Sequence, residues 1–114
     1  MRQFVIDDLT KEECDNIDSY LRRTAKATGL DGMYLLPLAD DLLGAAQQGH
    51  ESCGPFCFGL ELVRDPGREK LSCELLVRSQ ANLHCSCICY ATPLQRDYLL
   101  RFLDRMLEEE QIRA

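Results

Sequence analysis

One stretch of this 114-residue chain concentrates the side chains that could do chemistry. Cys85, Cys87 and Cys89 occupy every second position, and His84 directly precedes them. Thiolates and imidazoles are the usual ligands of zinc, and a thiolate is also a nucleophile for redox chemistry. Cysteine is equally common as a small side chain of a hydrophobic core. The stretch is therefore either a chemical site or part of the core.

The spacing of these cysteines limits how they could bind a metal. In a β-strand, residues two positions apart are separated by roughly 6.6 Å. Sulfurs bound to one tetrahedral zinc ion lie under about 4 Å apart, because each Zn–S bond is about 2.3 Å long. Three thiolates of one straight strand cannot share an ion. Either the stretch is a loop, or at most two of its cysteines are ligands. The alternating pattern favours a strand whose cysteines face the core.

A second group of candidate ligands lies in the Gly- and Pro-containing loop at residues 49–55 and at the start of the segment that follows it. His50, Cys53 and Cys57 follow a His-x2-Cys-x3-Cys pattern that zinc tolerates, provided that a fourth ligand is supplied. One of the strand cysteines could be that ligand. The alternative hypothesis for this protein is therefore a thiolate metal-binding protein with zinc as its cofactor.

The segment from Cys53 to Cys57 also resembles the thioredoxin Cys-Gly-Pro-Cys motif with one residue inserted. The resemblance implies a thiol redox protein with Cys53 as the nucleophile. In thioredoxins, however, the motif opens a helix whose N-terminus lowers the thiol pKa. Here the alternation after Pro55 predicts a strand, so redox chemistry is the third hypothesis.

Composition indicates one globular domain spanning residues 1–114. The chain is 46% hydrophobic and carries a net charge of −6. Without a basic stripe, we expect neither nucleic acid nor a membrane surface as a partner. No apolar run is long enough for a signal peptide or a membrane span, which predicts a cytoplasmic protein with reduced thiols.

Capping signals predict where the helices begin. Thr10 and Glu13 form a capping box ahead of a 3.6-residue apolar stripe, which predicts a helix at about 10–28. Thr92, Pro93 and Gln95 predict the start of a C-terminal helix in the same way. The pattern over residues 38–48 predicts a further short helix, which is the second in chain order.

Three alternating segments predict an antiparallel meander between the second and the last helix. They cover residues 56–63, 71–77 and 83–89. A first turn at 66–69 would place Leu62 opposite Cys73, and an odd-length second turn would turn the cysteine row toward the core. The predicted fold is α+β, a two-layer or helix-flanked three-stranded meander in the order α-α-β-β-β-α. Residues 4–6 could add an N-terminal edge strand.

The outward-facing positions of this predicted sheet form a mixed apolar patch. No motif of a known catalytic class is present, so the leading hypothesis is a non-catalytic binding or regulatory module. It would act through this face on a protein partner or, as a homodimer, on a second copy. The face comprises Glu61, Val63, Glu74, Leu76, His84, Ile88 and Tyr90.

Overall fold

In the computed structural model, which describes residues 1–114, two helices pack on one face of an antiparallel sheet of seven strands. The α+β class is thus confirmed. The order α-α-β-β-β-α and the three-stranded meander are not, because additional strands form before the meander. The helices are α1 (Lys11–Thr24) and α2 (Pro93–Glu109). The strands are β1 (Gln3–Ile6), β2 (Lys26–Ala27), β3 (Met33–Pro37), β4 (Phe56–Val63), β5 (Lys70–Glu74), β6 (Leu76–Ser79) and β7 (Cys89–Tyr90).

The sheet is organised around β4, its longest strand. The strand order is β1-β5-β4-β3-β2, while β6 pairs with the first residues of β4 and β7 pairs with β6. The predicted edge strand at residues 4–6 is confirmed as β1, which pairs with β5. The sheet is wider than predicted because β3 and β2 extend it on the other side of β4.

Both predicted capping boxes are formed. Thr10 accepts from the backbone N–H of Glu13, and Thr92 accepts from that of Gln95. The predicted extension of α1 to residue 28 is wrong, since the helix ends at Thr24. The following residues pair with β3 as β2, and this sheet pairing replaces the last helical turn.

The first hairpin keeps the predicted faces in a different register. Leu62 lies opposite Leu71 instead of Cys73, a shift of two residues. The turn is wider than predicted, and the shift is confined to the turn end of the hairpin. Two extra residues are accommodated near Leu75, between β5 and β6, and beyond them the pairs follow the predicted register. An even shift preserves the side of the sheet to which every side chain points, so the apolar row still faces the core.

Two predicted elements are not formed. Residues 38–48 contain one 3₁₀ turn, Asp40–Leu42, in place of a helix. Residues 83–88 form a loop in place of a strand, and Leu83 is 71% exposed instead of buried. The sheet pairing resumes only at Cys89, which lies opposite Val77.

The hydrophobic core lies between the helices and one face of the sheet. Ring stacking of Tyr20 against Phe102, edge to face at 5.9 Å, joins the two helices above the strands. The apolar residues of the other face, such as Met33, Leu35 and Val63, do not belong to this core. That outer face is therefore left without a helical cover. Neither helix combines the length and the apolar character needed to cross a membrane.

Candidate metal centre

Four potential metal ligands converge at one end of the molecule. The ligand atoms of His50, Cys53, Cys85 and Cys87 all lie within 4.8 Å of one another. The sulfurs of Cys53 and Cys85 are 3.7 Å apart, and His50 Nδ1 lies 3.2 Å from the Cys85 sulfur. Tetrahedral Zn–S bonds of about 2.3 Å require sulfur–sulfur separations of about 3.8 Å. The four side chains could hold a metal ion.

A short turn before β4 brings His50 and Cys53 together. Residues Glu51–Cys53 form a 3₁₀ turn in which the Cys53 N–H donates to the His50 carbonyl at 2.9 Å. Residues three apart in such a turn point to the same side. Gly49 precedes it with φ +81°, a left-handed conformation that favours glycine and reverses the chain toward the site.

A second turn brings Cys85 and Cys87 together. The Ile88 N–H donates to the Cys85 carbonyl at 3.1 Å, which bends the chain where a strand was predicted. The bend places the two sulfurs within the same cluster, whereas an extended strand would hold them roughly 6.6 Å apart. The predicted strand is not formed at Cys85 and Cys87, which turn toward the loop at His50.

The thiol pKa values of the two cysteines in this turn shift in opposite directions. The Cys87 backbone N–H donates to the Cys85 sulfur and, with a hydrogen bond from the Cys87 thiol, lowers the pKa of Cys85 to about 6. Burial and that same donated hydrogen bond raise the pKa of Cys87 to about 12. Cys85 is thus ready to bind as a thiolate at neutral pH. Cys87 would lose its proton when a cation is bound, as thiol ligands do.

A buried pair of amides holds the Cys87 turn in place. Gln47, only 1% exposed, donates from Nε2 to the Cys87 carbonyl at 2.8 Å. Its Oε1 accepts from Gln95 Nε2 at 3.0 Å and from the Gly44 N–H at 2.9 Å. The Cβ of any larger residue at position 44 would lie 3.2 Å from both amides. Gly44, which has no side chain, lets the backbone approach this amide pair.

Ser79 supports the other half of the cluster. Its hydroxyl donates to the Cys53 carbonyl and accepts from the backbone N–H groups of Ala81 and Asn82 at 3.2 and 2.9 Å. The end of β6 is thereby joined to the His50–Cys53 turn. Both ligand pairs are consequently positioned by hydrogen bonds that do not involve the ligand atoms themselves.

The cysteines outside the cluster lie elsewhere in the fold. Cys57, the third ligand of the predicted group, points to the outer sheet face opposite Arg78, and burial raises the pKa of its thiol. Cys73 lies in the core, where burial raises its pKa to about 12. Cys89 lies in β7 and pairs with Val77 of β6. The predicted group thus contributes His50 and Cys53, and the row contributes Cys85 and Cys87. The sequence did not predict this four-residue cluster, because the predicted strand would hold Cys85 and Cys87 roughly 6.6 Å apart.

The residues predicted to form a partner face are divided between two places. The strand pairing puts Glu61, Val63, Glu74 and Leu76 on the outer sheet face, with Tyr90 opposite Leu76. His84 and Ile88 lie instead in the loop before β7, where His84 is exposed and Ile88 packs against the core.

Compared with models of protein families, with curated proteins and with solved structures, the chain matches none of them. The geometry of the four converging side chains is therefore the basis on which a function is assigned.

Proposed function

We propose that this protein binds one structural zinc ion through His50, Cys53, Cys85 and Cys87. The observation that carries the proposal is the convergence of one imidazole and three thiols from two turns to within 4.8 Å. The two turns are far apart in the sequence, since Cys85 follows Cys53 by 32 residues. A shared ion would stabilise both segments at once.

The ligand set favours zinc in a structural role. Soft thiolates with one imidazole in a tetrahedral arrangement are typical of zinc among the metals that proteins bind. Four protein ligands complete the tetrahedron and leave no position for substrate, which distinguishes structural zinc from catalytic zinc. Cys87 is fully buried and Cys53 is 8% exposed, whereas His50 and Cys85 are partly exposed, so a bound ion would be shielded from solvent on one side.

The metal content of purified protein tests this proposal. We expect about one zinc per chain by elemental analysis after anaerobic purification, because structural zinc binds tightly. Cys53→Ser, Cys85→Ser and Cys87→Ser should each lose most of it. Cys57→Ser and Cys89→Ser are matched controls, since both cysteines lie outside the cluster, and they should retain it. Wild-type protein with less than about 0.2 zinc per chain, and no tetrahedral thiolate spectrum with Co²⁺, would overturn the proposal.

We further propose a non-catalytic binding role for the outer sheet face, with a second copy of the chain as its partner. The supporting observation is that neither helix covers this face, although it carries partly exposed apolar side chains at Met33, Leu35, Val63 and Leu76. Charges of both signs also lie there, including Glu61 and Lys70. A two-fold arrangement could bring unlike charges together around an apolar centre.

Light scattering distinguishes this dimer from a monomer. Wild-type protein should have twice the 13.0 kDa mass of the chain. Leu35→Glu should raise the dimer dissociation constant at least about tenfold, because it places a charge in the apolar centre of the contact. The control is Leu94→Glu on α2, where the side chain is 72% exposed on the helical side. A wild-type protein that stays monomeric at its highest attainable concentration contradicts the dimer.

A further inference from the structure

An apolar groove borders the candidate metal centre. It has a volume of about 320 Å³ and lies between the chain segments at residues 38–43 and 51–56. Its floor is formed by the buried side chains of Leu38 and Phe56, with Leu43 and Pro55 at its sides. The volume is at the lower end of the range of ligand pockets, roughly 300–1,000 Å³. The groove is large enough for one long side chain.

The rim of the groove is acidic and lacks compensating charge. Asp40 and Glu51 line it and are exposed, and neither forms a salt bridge. No cationic side chain lines the groove, and the chain contains no Lys or Arg between Lys26 and Arg64. An anionic ligand in the groove would therefore be repelled by the carboxylates of Asp40 and Glu51.

The proposed metal centre would add to this negative field. Zinc bound by three thiolates and a neutral imidazole carries a formal charge of about −1. Glu51 lies between the two ligands of the first turn, His50 and Cys53, so the centre and the groove share a wall. The same turn that would hold the ion also fixes one of the two rim carboxylates.

We propose that this groove binds an arginine side chain from a basic segment of a protein partner. The aliphatic part of arginine would cover Leu38 and Phe56, while its guanidinium would contact Asp40 and Glu51. Charge complementarity selects a cationic side chain over a neutral one of the same shape. The inference rests on the proposed zinc site, because the His50–Cys53 turn forms one wall of the groove.

A titration with defined peptides, followed by amide NMR spectra of protein with measured zinc content, tests the groove. The probe is an acetylated and amidated Gly/Ser heptapeptide with one central arginine. Its control replaces arginine with citrulline, the neutral isostere. We expect saturable shifts at the amides of Leu43, Glu51, Gly54 and Phe56, with a dissociation constant on the order of 1 mM and about fivefold weaker binding of the citrulline peptide.

Protein variants identify the carboxylates responsible. Asp40→Asn combined with Glu51→Gln should weaken the arginine peptide about fivefold or more. The matched control is Glu12→Gln with Asp104→Asn, which changes the net charge equally at exposed positions on the two helices. Its affinity should stay within about twofold of wild type, because distant exposed charges are screened.

The outcomes separate the groove from the metal site. Zinc-loaded protein that shows no saturable shifts up to about 10 mM peptide, or equal binding of arginine and citrulline, overturns the groove and leaves the zinc proposal standing. Equal losses in the two double variants also overturn it, since net charge would then explain the binding. Wild-type protein that fails the metal test but binds the arginine peptide selectively retains the groove, and its metal content alone then refutes the zinc site.

Discussion

Removal of the metal is expected to lower the melting temperature of this protein by more than about 10 °C. A ligand that binds only the folded state stabilises it by about 4 kcal/mol when present at a thousand times its dissociation constant. For a domain of this size, each kcal/mol changes the melting temperature by roughly 3–5 °C. A decrease of this size in the melting temperature is expected if one zinc ion links the turn at His50–Cys53 to the turn at Cys85–Cys87.

Calorimetry before and after treatment with a chelator measures this effect, and elemental analysis verifies that the ion has left. Cys87→Ser is the control, since a protein that no longer holds zinc should melt at the same temperature with and without chelator. An unchanged melting temperature in wild-type protein that has demonstrably lost its zinc would show that the ion does not stabilise the fold.

Amide hydrogen exchange locates the same effect along the chain. Residues 39–54 and 80–88 contain few regular elements, so without the ion we expect their amides to exchange faster. The amides of α1 at Ile17 and Leu21, which are fully buried in the core, should keep most of their protection. Uniform loss of protection would indicate global unfolding instead of release of the two turns.

Replacing Gln47 by leucine is the second change from which we expect a large effect. Leucine fills a similar volume but can neither donate to the Cys87 carbonyl nor accept from Gln95 and Gly44. Each buried polar group left without a partner costs about 1–3 kcal/mol. Since some groups will find other partners, we expect the free energy of unfolding to fall by about 2–4 kcal/mol.

The same substitution should weaken metal binding. Groups that orient metal ligands without touching the ion typically contribute 10- to 100-fold to affinity. Competition with a zinc chelator of known affinity measures this change in Gln47→Leu. Gln48→Leu is the neighbouring control, because Gln48 is exposed and has no hydrogen bond to the metal turns. Equal zinc affinity in the two variants would show that the amide pair supports the fold but not the site.

Local sequence signals predicted where both helices begin. The capping boxes at Thr10 and Thr92 depend on residues three positions apart, so the chain itself contains all the information needed. The alternation in residues 56–63 likewise predicted which side chains of β4 enter the core. Even the error in hairpin register was an even number of residues and therefore preserved the faces.

The predictions failed where distant groups compete with a local pattern. Alternation in residues 83–89 is typical of a strand, yet only Cys89 and Tyr90 pair. The hydrogen bond from Gln47 to the Cys87 carbonyl crosses 40 residues and stabilises a turn that no local signal specifies. Similarly, the register of the first hairpin changes at Leu75, whose N–H donates to the Arg2 carbonyl and whose carbonyl accepts from the Ala91 N–H, both distant in the sequence.

The sequence by itself determined the α+β class, the beginnings of both helices and the core-facing rows of β4 and β5, because each depends on neighbours a few residues apart. It also supplied the two halves of the site as separate candidates, His50 with Cys53 and the cysteine row. Only the tertiary structure decided that they meet, since the cluster requires Cys53 and Cys85, 32 residues apart, to approach within 3.7 Å. Such an approach depends on how β4, β6 and α2 pack, and spacing along the chain cannot specify it.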